Sequence, residues 1–252
     1  MYTIEKLKDL IDESLPTEDG FESYIFSVES YNKSVSEDFK LNMDSDAAGV
    51  VILSTPMMFD VSFKRWFREK LEQLGSLDAI AEEVSSPIQE FMNFRLSEVE
   101  QKLEVPYELY HDYSMTPARR PKILVQTCGH VSGAAYYYQP KHVQKEDWPP
   151  EGRMDAKLKF IGLSLHPIYG GHFAFRSVFL FPTVKITFKP IIPKSILSTD
   201  EEIRMALEKF NYSWKDSGFR DFGAPKRRYS DVQVNFFGKP PADRWEVLRE
   251  WC

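Results

Sequence analysis

IGLSLHPIYGGHFAFRSVFLF, residues 161–181, sets two strand-like segments on either side of Pro167 and the Gly170-Gly171 pair. A proline followed by paired glycines reads as a hairpin or a tight loop. The two segments run over 157–166 and 171–181, and others like them occur at 105–113, 121–127 and 134–138. Upstream, Ile4, Leu7, Leu10, Ile11 and Leu15 follow helical spacing, so residues 2–15 predict an amphipathic helix that Pro16 and Gly20 stop. Phe21 to Tyr31 alternates apolar and polar residues as a half-buried strand does, and GVVILS at 49–54 reads as a buried strand. Phe59, Phe63, Phe67, Leu71 and Leu74 mark one face of a helix. A second helical stretch covers about 77–103, with Pro87 placed to kink or divide it. Residues 139–156 are polar and Pro-rich and read as a surface loop, while 182–198 carry three prolines and read as irregular or edge-like. Thr199 or Asp200 can cap a helix at 201–210, and Pro240 or Pro241 can open one at 242–250. Helices and strands are mixed without a regular βαβ alternation. That pattern predicts an α+β domain rather than a doubly wound parallel sheet. No repeat and no dividing linker interrupts the chain, so residues 1–252 read as a single domain.

The chain has 252 residues, 32 Lys+Arg against 38 Asp+Glu, a net charge of −6 and 14% aromatics, which is a soluble globular composition. This excludes a disordered tail, a collagen-like repeat and a disulfide scaffold. The mild acidity argues against a general nucleic-acid binder. Two cysteines, Cys128 and Cys252, are too few for a disulfide framework and fit a reducing compartment. The N-terminus lacks the features of a secretory signal, and no apolar run, Val50 to Leu53 included, comes near the length needed to span a membrane. A cytoplasmic protein without membrane or nucleic-acid partners is the expectation.

Common chemistry motifs are missing. No G-x-G-x-x-G follows a strand, no phosphate-binding P-loop occurs, and there is neither C-x-x-C nor H-E-x-x-H, so no metal-ligand cluster is expected. Gly129-His130-Val131-Ser132-Gly133 is not a nucleophile elbow, because serine is not at its centre.

Three segments stand out. RRPKILVQTCGHVSGAAYYYQ (119–139) combines basic residues, a short strand, a Gly/His/Ser turn, small residues and three tyrosines. If 134–139 is extended, Tyr136 and Tyr138 share one face, and Tyr137 and Gln139 the other. Such a surface either receives a large flat ligand with a polar rim or is a core strand with hydroxyls reaching water. His130 is a ligand contact, a proton relay, a metal ligand or a ring satisfied by nearby backbone. Cys128, on the strand, reads as an inert small hydrophobe, and Arg119-Arg120 either holds an anion or is solvated. In FAFRSVFLF, Arg176 sits inside an apolar strand and needs an internal carboxylate or an anionic ligand. In FNYSWKDSGFRDFGAPKRRY (210–229), Lys226 to Arg228 reads as a solvated basic face, and Arg220-Asp221 can be a self-satisfied pair.

STPMMFD (54–60), RRPKILVQTCGHVSGAAYYYQ (119–139), HPIYGGHFAFR (166–176) and FNYSWKDSGFRD (210–221) resemble, in order and spacing, the CblC family of cytosolic cobalamin-processing proteins over roughly residues 1–245. The resemblance is to the vertebrate-type members, whose Pro-rich C-terminal extension is expected to be absent here. It implies a modified flavin-nitroreductase-like fold, a mostly antiparallel sheet flanked by helices. It implies cobalamin bound with its lower base off cobalt, and removal of the upper axial ligand by two routes. Alkyl groups pass to glutathione. Cyanide leaves reductively, with electrons from NADPH through FMN or FAD. Glutathione oxidation is a side or additional activity in some members, and a downstream cobalamin-trafficking protein is an implied partner.

The resemblance also assigns residues. Asp112, Ile123, Leu124, Val125, Gln126, Tyr137, Tyr138, Gln139, Ser164 and Phe175 match the family's corrin contacts. Arg176, Arg220 and Arg244 match its glutathione-site arginines, and His130 matches its motif histidine, placed in the ligand pocket as the catalytic candidate. Three arginines suit a ligand with two carboxylates and would favour its thiolate. Cobalamin brings its own reactive metal, so no protein metal site is needed. Two other readings compete: a cobalamin chaperone without catalysis, and a nitroreductase-type flavin reductase that does not use cobalamin.

Overall fold

The computed structural model describes residues 2–144, 148, 160–186 and 193–252. Helix α1 (Ile4–Ser14) forms where the spacing predicts it, with Thr3 as its N-cap. Strand β1 (Phe21–Ser27) is shorter than the alternation suggests. Ser27 accepts from the Ser30 N–H and starts a short helix α2 (Val28–Asn32), because a capping hydroxyl here competes with further extension. Strand β2 (Ala47–Ser54) is buried along its whole length, as its unbroken apolar run requires. A π-helical turn at Met58–Phe63 leads into α3 (Lys64–Leu74). Pro87 divides the next helical stretch into α4 (Leu77–Glu83) and α5 (Pro87–Glu100), occupying a first-turn position where its missing N–H does no harm. Strand β3 (Glu108–His111) follows.

Residues 121–127 depart from expectation. They are not a strand; they lead into α6 (Val125–Val131), so Cys128 and His130 lie on a helix. The β-branched run is overridden by packing, since Cys128 and Val131 turn inward onto the sheet. Strands β4 (Tyr136–Tyr138) and β5 (Leu163–Leu165) form a separate antiparallel ribbon. Strand β6 (Ala174–Lys185) enters the main sheet and carries regular structure through Pro182 into the segment read as irregular. The two halves of 161–181 are therefore not a hairpin. The tight loop between them, closed by His166 and Gly170 pairing across it, hands the chain from one sheet to the other. Thr199 and Glu202 form a capping box on α7 (Asp200–Ser213). Helix α8 (Asp231–Gly238), capped by Ser230, was not signalled by periodicity, and α9 (Arg244–Leu248) follows the Pro241 turn. Parts of the 139–156 loop, of the 157–166 segment and of 182–198 lie outside the described residues.

The main sheet is antiparallel with strand order β1-β2-β6-β3. Val50, Ile52, Phe179 and Phe181 face one side and pack with α1, α3, α5 and the Phe59–Phe63 turn. Val51, Leu53, Phe175 and Leu180 face the other side, beneath α6. A third cluster joins the β4–β5 ribbon to Ala206 and Leu207 of α7. Each fully buried aliphatic or aromatic side chain contributes about 1.5–3 kcal/mol, so this two-sided burial stabilises the sheet that positions the site. No helix among the described residues is long and apolar enough to cross a membrane.

Candidate active site

The register between β2 and β6 shifts from Ile52↔Ser177 to Leu53↔Phe175. Arg176 is the extra residue of this bulge, and bulges re-aim side chains. Phe175 therefore serves one surface while Arg176 serves another.

The first surface, where α6 meets the β4–β5 ribbon, is partly polar. A Cβ on Gly129 would lie 2.2 Å from the Phe175 ring, so only glycine lets α6 approach this closely. Tyr137 lies opposite Ser164 in the β4–β5 ribbon, and the buried Ser164 hydroxyl has no hydrogen-bond partner. The Gln139 side chain hydrogen-bonds Tyr137, whose pKa burial pushes up. Thr127, His130, Tyr137, Gln139 and His142 line a cleft of about 290 Å³. His130 Nδ1 accepts from the Tyr137 N–H at 3.3 Å, which puts the neutral ring's proton on Nε2. Burial, helped by the charges of His142 and Lys141, pulls the His130 pKa down. His130 thus ties α6 to β4 while bordering the cleft; it is not on a flexible turn.

Ile123 is buried beside Phe175 in the same cluster. The Leu124 N–H donates to the Tyr31 hydroxyl at 3.0 Å. Val125 and Gln126 form the first turn of α6, whose N–H groups have no intrahelical acceptors. Tyr138 differs from its neighbours. Its fully buried side chain faces away from Tyr137, and its hydroxyl accepts from the N–H groups of Ile196 and Leu197 at 2.8 and 2.9 Å. Only the Tyr138 backbone remains for the cleft side.

The second surface is a cluster of three arginines. Arg176 Nε donates to Ser54 Oγ at 2.7 Å, its guanidinium lies 5.8 Å from the Phe237 ring centre, and its Nη2 is buried without a partner. Burial lowers its pKa, and the charge of Asp112 opposes that. Asp112 itself is held up by burial and pulled down by Arg176, and its N–H donates to the Arg176 carbonyl at 3.0 Å. Arg220 lies between the rings of Phe219 and Tyr229, at 4.7 and 4.9 Å, donates to the Gly171 carbonyl, and leaves its buried Nε unpartnered. Arg244 donates to the Lys239 carbonyl at 3.2 Å and covers Phe236 and Phe237; burial and the nearby Arg176 charge lower its pKa. Among the described residues none of the three makes an ion pair. Gathered guanidinium groups resting on aromatic faces, two of them with an orphaned buried nitrogen, have the chemistry that suits a multiply charged anion.

Other candidates resolve differently. Asp221 does not pair with Arg220; it accepts from Arg228 at 2.7 Å and lies 3.1 Å from His172 Nε2. Arg120 pairs with Asp38 on the surface. The Cys128 thiol is fully buried and its pKa is pushed well up, which fits an inert side chain. Sequence reading missed Ser54, Tyr229, Phe237 and His172. Ser54 and His172 lie inside quoted motifs, but nothing local marks them as supports for arginines far along the chain.

Fold and site together define a nitroreductase-like α+β protein with a partly polar cleft at the α6–β4 junction and a cluster of three arginines. The sequence pattern of the methylmalonic aciduria and homocystinuria type C (MMACHC) family matches residues 20–248. An MMACHC-like protein of Caenorhabditis elegans is 58% identical over 259 residues, covering 100% of this chain and 95% of that protein. Proteins named cyanocobalamin reductase / alkylcobalamin dealkylase are 37% identical in Gallus gallus (91% of this chain, 90% of that one) and 34% identical in Homo sapiens (97% and 82%). The crystal structure of a C. elegans B12-trafficking protein CblC, a human MMACHC homologue, superposes with a TM-score of 0.95 at 57% identity, over 98% of this chain and 96% of that one. The chain belongs to the MMACHC, or CblC, family.

Proposed function

We propose that this chain binds cobalamin with its lower base off cobalt and removes the upper axial ligand, as an alkylcobalamin dealkylase and a cyanocobalamin reductase. The relatives' names support the two activities. One observation carries the glutathione-dependent route: Arg176, one residue along β6 from Phe175, clusters with Arg220 and Arg244, and Arg176 and Arg220 each leave a buried nitrogen unpartnered.

The corrin rim carries amides. Ser164 Oγ, Gln139, Tyr137 and the backbone around Ile123–Gln126 and Tyr138 supply donors and acceptors for them, and Phe175 supplies an apolar floor. His130 holds the Tyr137 backbone in place beside the ligand. Asp112 sits next to Arg176, whose carbonyl accepts from its N–H. Removing the lower base leaves cobalt five-coordinate and easier to reduce.

Arg176, Arg220 and Arg244 hold the two carboxylates of glutathione, and their field favours the thiolate. The thiolate sulfur bonds to the cobalt-bound carbon. The cobalt–carbon bond breaks with both electrons staying on cobalt, giving a thioether and cob(I)alamin. No protein nucleophile is needed, which fits the inert Cys128.

Reductive decyanation needs an external electron source, supplied by NADPH through a bound FMN or FAD. The Ser164–Tyr137–Gln139 wall suits a flavin ring for the same reasons that it suits a corrin. The two unpaired cysteines fit work in the reducing cytoplasm, with the product passed to a downstream trafficking protein and glutathione oxidation as an additional activity. Demethylation of methylcobalamin by glutathione, followed in Arg176→Ala and Arg220→Ala, tests the reading. Lost glutathione dependence with cobalamin still bound supports it; wild-type rates in both variants overturn the arginine assignment.

A further inference from the structure

We infer that His172 is a positioning residue for Arg220, and through it sets the affinity for a carboxylate-bearing thiol. The inference rests on the arginine cluster being the glutathione site. Two dipeptides interlock here. The Gly171 N–H donates to the Arg220 carbonyl at 2.9 Å, and the Arg220 guanidinium donates back to the Gly171 carbonyl. Alongside them His172 Nε2 meets Asp221 Oδ1 at 3.1 Å. A Cβ on Gly171 would stand 2.8 Å from Arg220 Cα, so the approach needs glycine.

The other ring nitrogen has its own task. His172 Nδ1 accepts from the Tyr229 N–H at 3.2 Å, and the imidazole meets the Tyr229 ring edge-on at 5.3 Å. Tyr229 is one of the two rings that sandwich Arg220. One buried imidazole therefore fixes both the backbone carrying Arg220 and the aromatic platform beside it. With Nδ1 accepting, the ring must donate through Nε2, so both nitrogens are committed and neither is free for substrate. Asp221, Arg220 and Arg228 are the charged groups that act on it, and Asp221 is shared with Arg228. His172 thus acts on the reaction through Arg220 and does not touch the reacting atoms.

The test compares two thiols in demethylation of methylcobalamin: glutathione, and 2-mercaptoethanol, which has no carboxylate. His172→Ala and Asp221→Ala should each raise the KM for glutathione by about tenfold, the size of losing one hydrogen bond to a charged group. Turnover at saturating glutathione and the rate with 2-mercaptoethanol should stay close to wild type. His172→Gln, which keeps a donor at the Nε2 position, should recover most of the affinity for glutathione. Asp221→Ala changes a half-exposed side chain and decides the matter if His172→Ala does not fold. An unchanged glutathione KM in Asp221→Ala and His172→Ala, with a raised one in Arg220→Ala, overturns the role of His172 alone. Equal losses with both thiols overturn it too, since that is the mark of general damage. An unchanged KM in Arg220→Ala overturns the arginine reading and this inference together.

Discussion

Arg176 Nε donates to Ser54 Oγ at 2.7 Å, while Nη2 of the same guanidinium is buried without a partner. One edge of the fork is fixed by the last residue of β2, and the other has no partner within the protein. A buried guanidinium without an ion pair is costly in the free protein. The bulge between Ile52 and Leu53 is what places it there.

Arg176→Ala should lower kcat/KM for glutathione-dependent dealkylation by about 10–100-fold, the loss of one or more charge-assisted hydrogen bonds. Arg176→Lys should not rescue it, because an ammonium cannot both hold Ser54 and present a planar fork. Cobalamin binding, read from its visible spectrum, should be unchanged. Wild-type kcat/KM in both variants would show that no anion uses this side chain.

Ser164→Ala should separate stability from binding. Its hydroxyl is buried with no partner, so removing it should leave Tm unchanged or raise it, by the equivalent of about 1 kcal/mol. Cobalamin affinity should fall, because an acceptor for the rim amides is lost. A drop in Tm with unchanged affinity would mean that Ser164 serves the fold and not the ligand.

Gly129→Ala should destabilise the protein despite a better helix former in α6. The new methyl would lie 2.2 Å from the Phe175 ring, and overpacking costs about 1–3 kcal/mol against a helix gain of about 1 kcal/mol. Displacing Phe175 should weaken cobalamin binding as well. An equal or higher Tm with full binding would refute the close contact.

Much of this arrangement was legible in the sequence, and its gaps have a physical pattern. Strands β2 and β6 and helices α1 and α7 announced themselves because period and cap agree locally, as in the Thr199–Glu202 box. Arg176 is visible in the sequence as a charge in an apolar strand, and the strand alone leaves open whether a carboxylate or a ligand answers it. The KILV lead-in to α6 favours a strand by itself, and the helix is decided by tertiary packing, with Cys128 and Val131 turned into the core and Gly129 set close against Phe175. Ser54, His172, Tyr229 and Phe237 carried no local signal. Their task is to hold arginines that stand far along the chain, and single-sequence periodicity contains no such pairing.

Acid should weaken the fold through its histidines. Burial lowers the pKa values of His111, His130, His142 and His172 in the folded chain. The unfolded chain takes up protons as pH falls through about 6.5, while these folded-state rings take them up only at lower pH. Stability therefore rises with pH across this window and is lost on going down. Tm measured from pH 7.5 to 6 should fall steadily; a flat or rising Tm would contradict the buried neutral rings.

The central claim is that one flat cleft holds cobalamin beside an arginine receptor for the thiol that attacks it. An anaerobic visible-absorbance titration with methylcobalamin, followed by addition of glutathione, tests it most directly. The account predicts a base-off shift on binding, then conversion to cob(I)alamin with methyl-glutathione formed in equal amount. A base-off shift that glutathione leaves unaltered would contradict the dealkylase and leave a carrier of cobalamin. No shift at all would contradict the cleft itself.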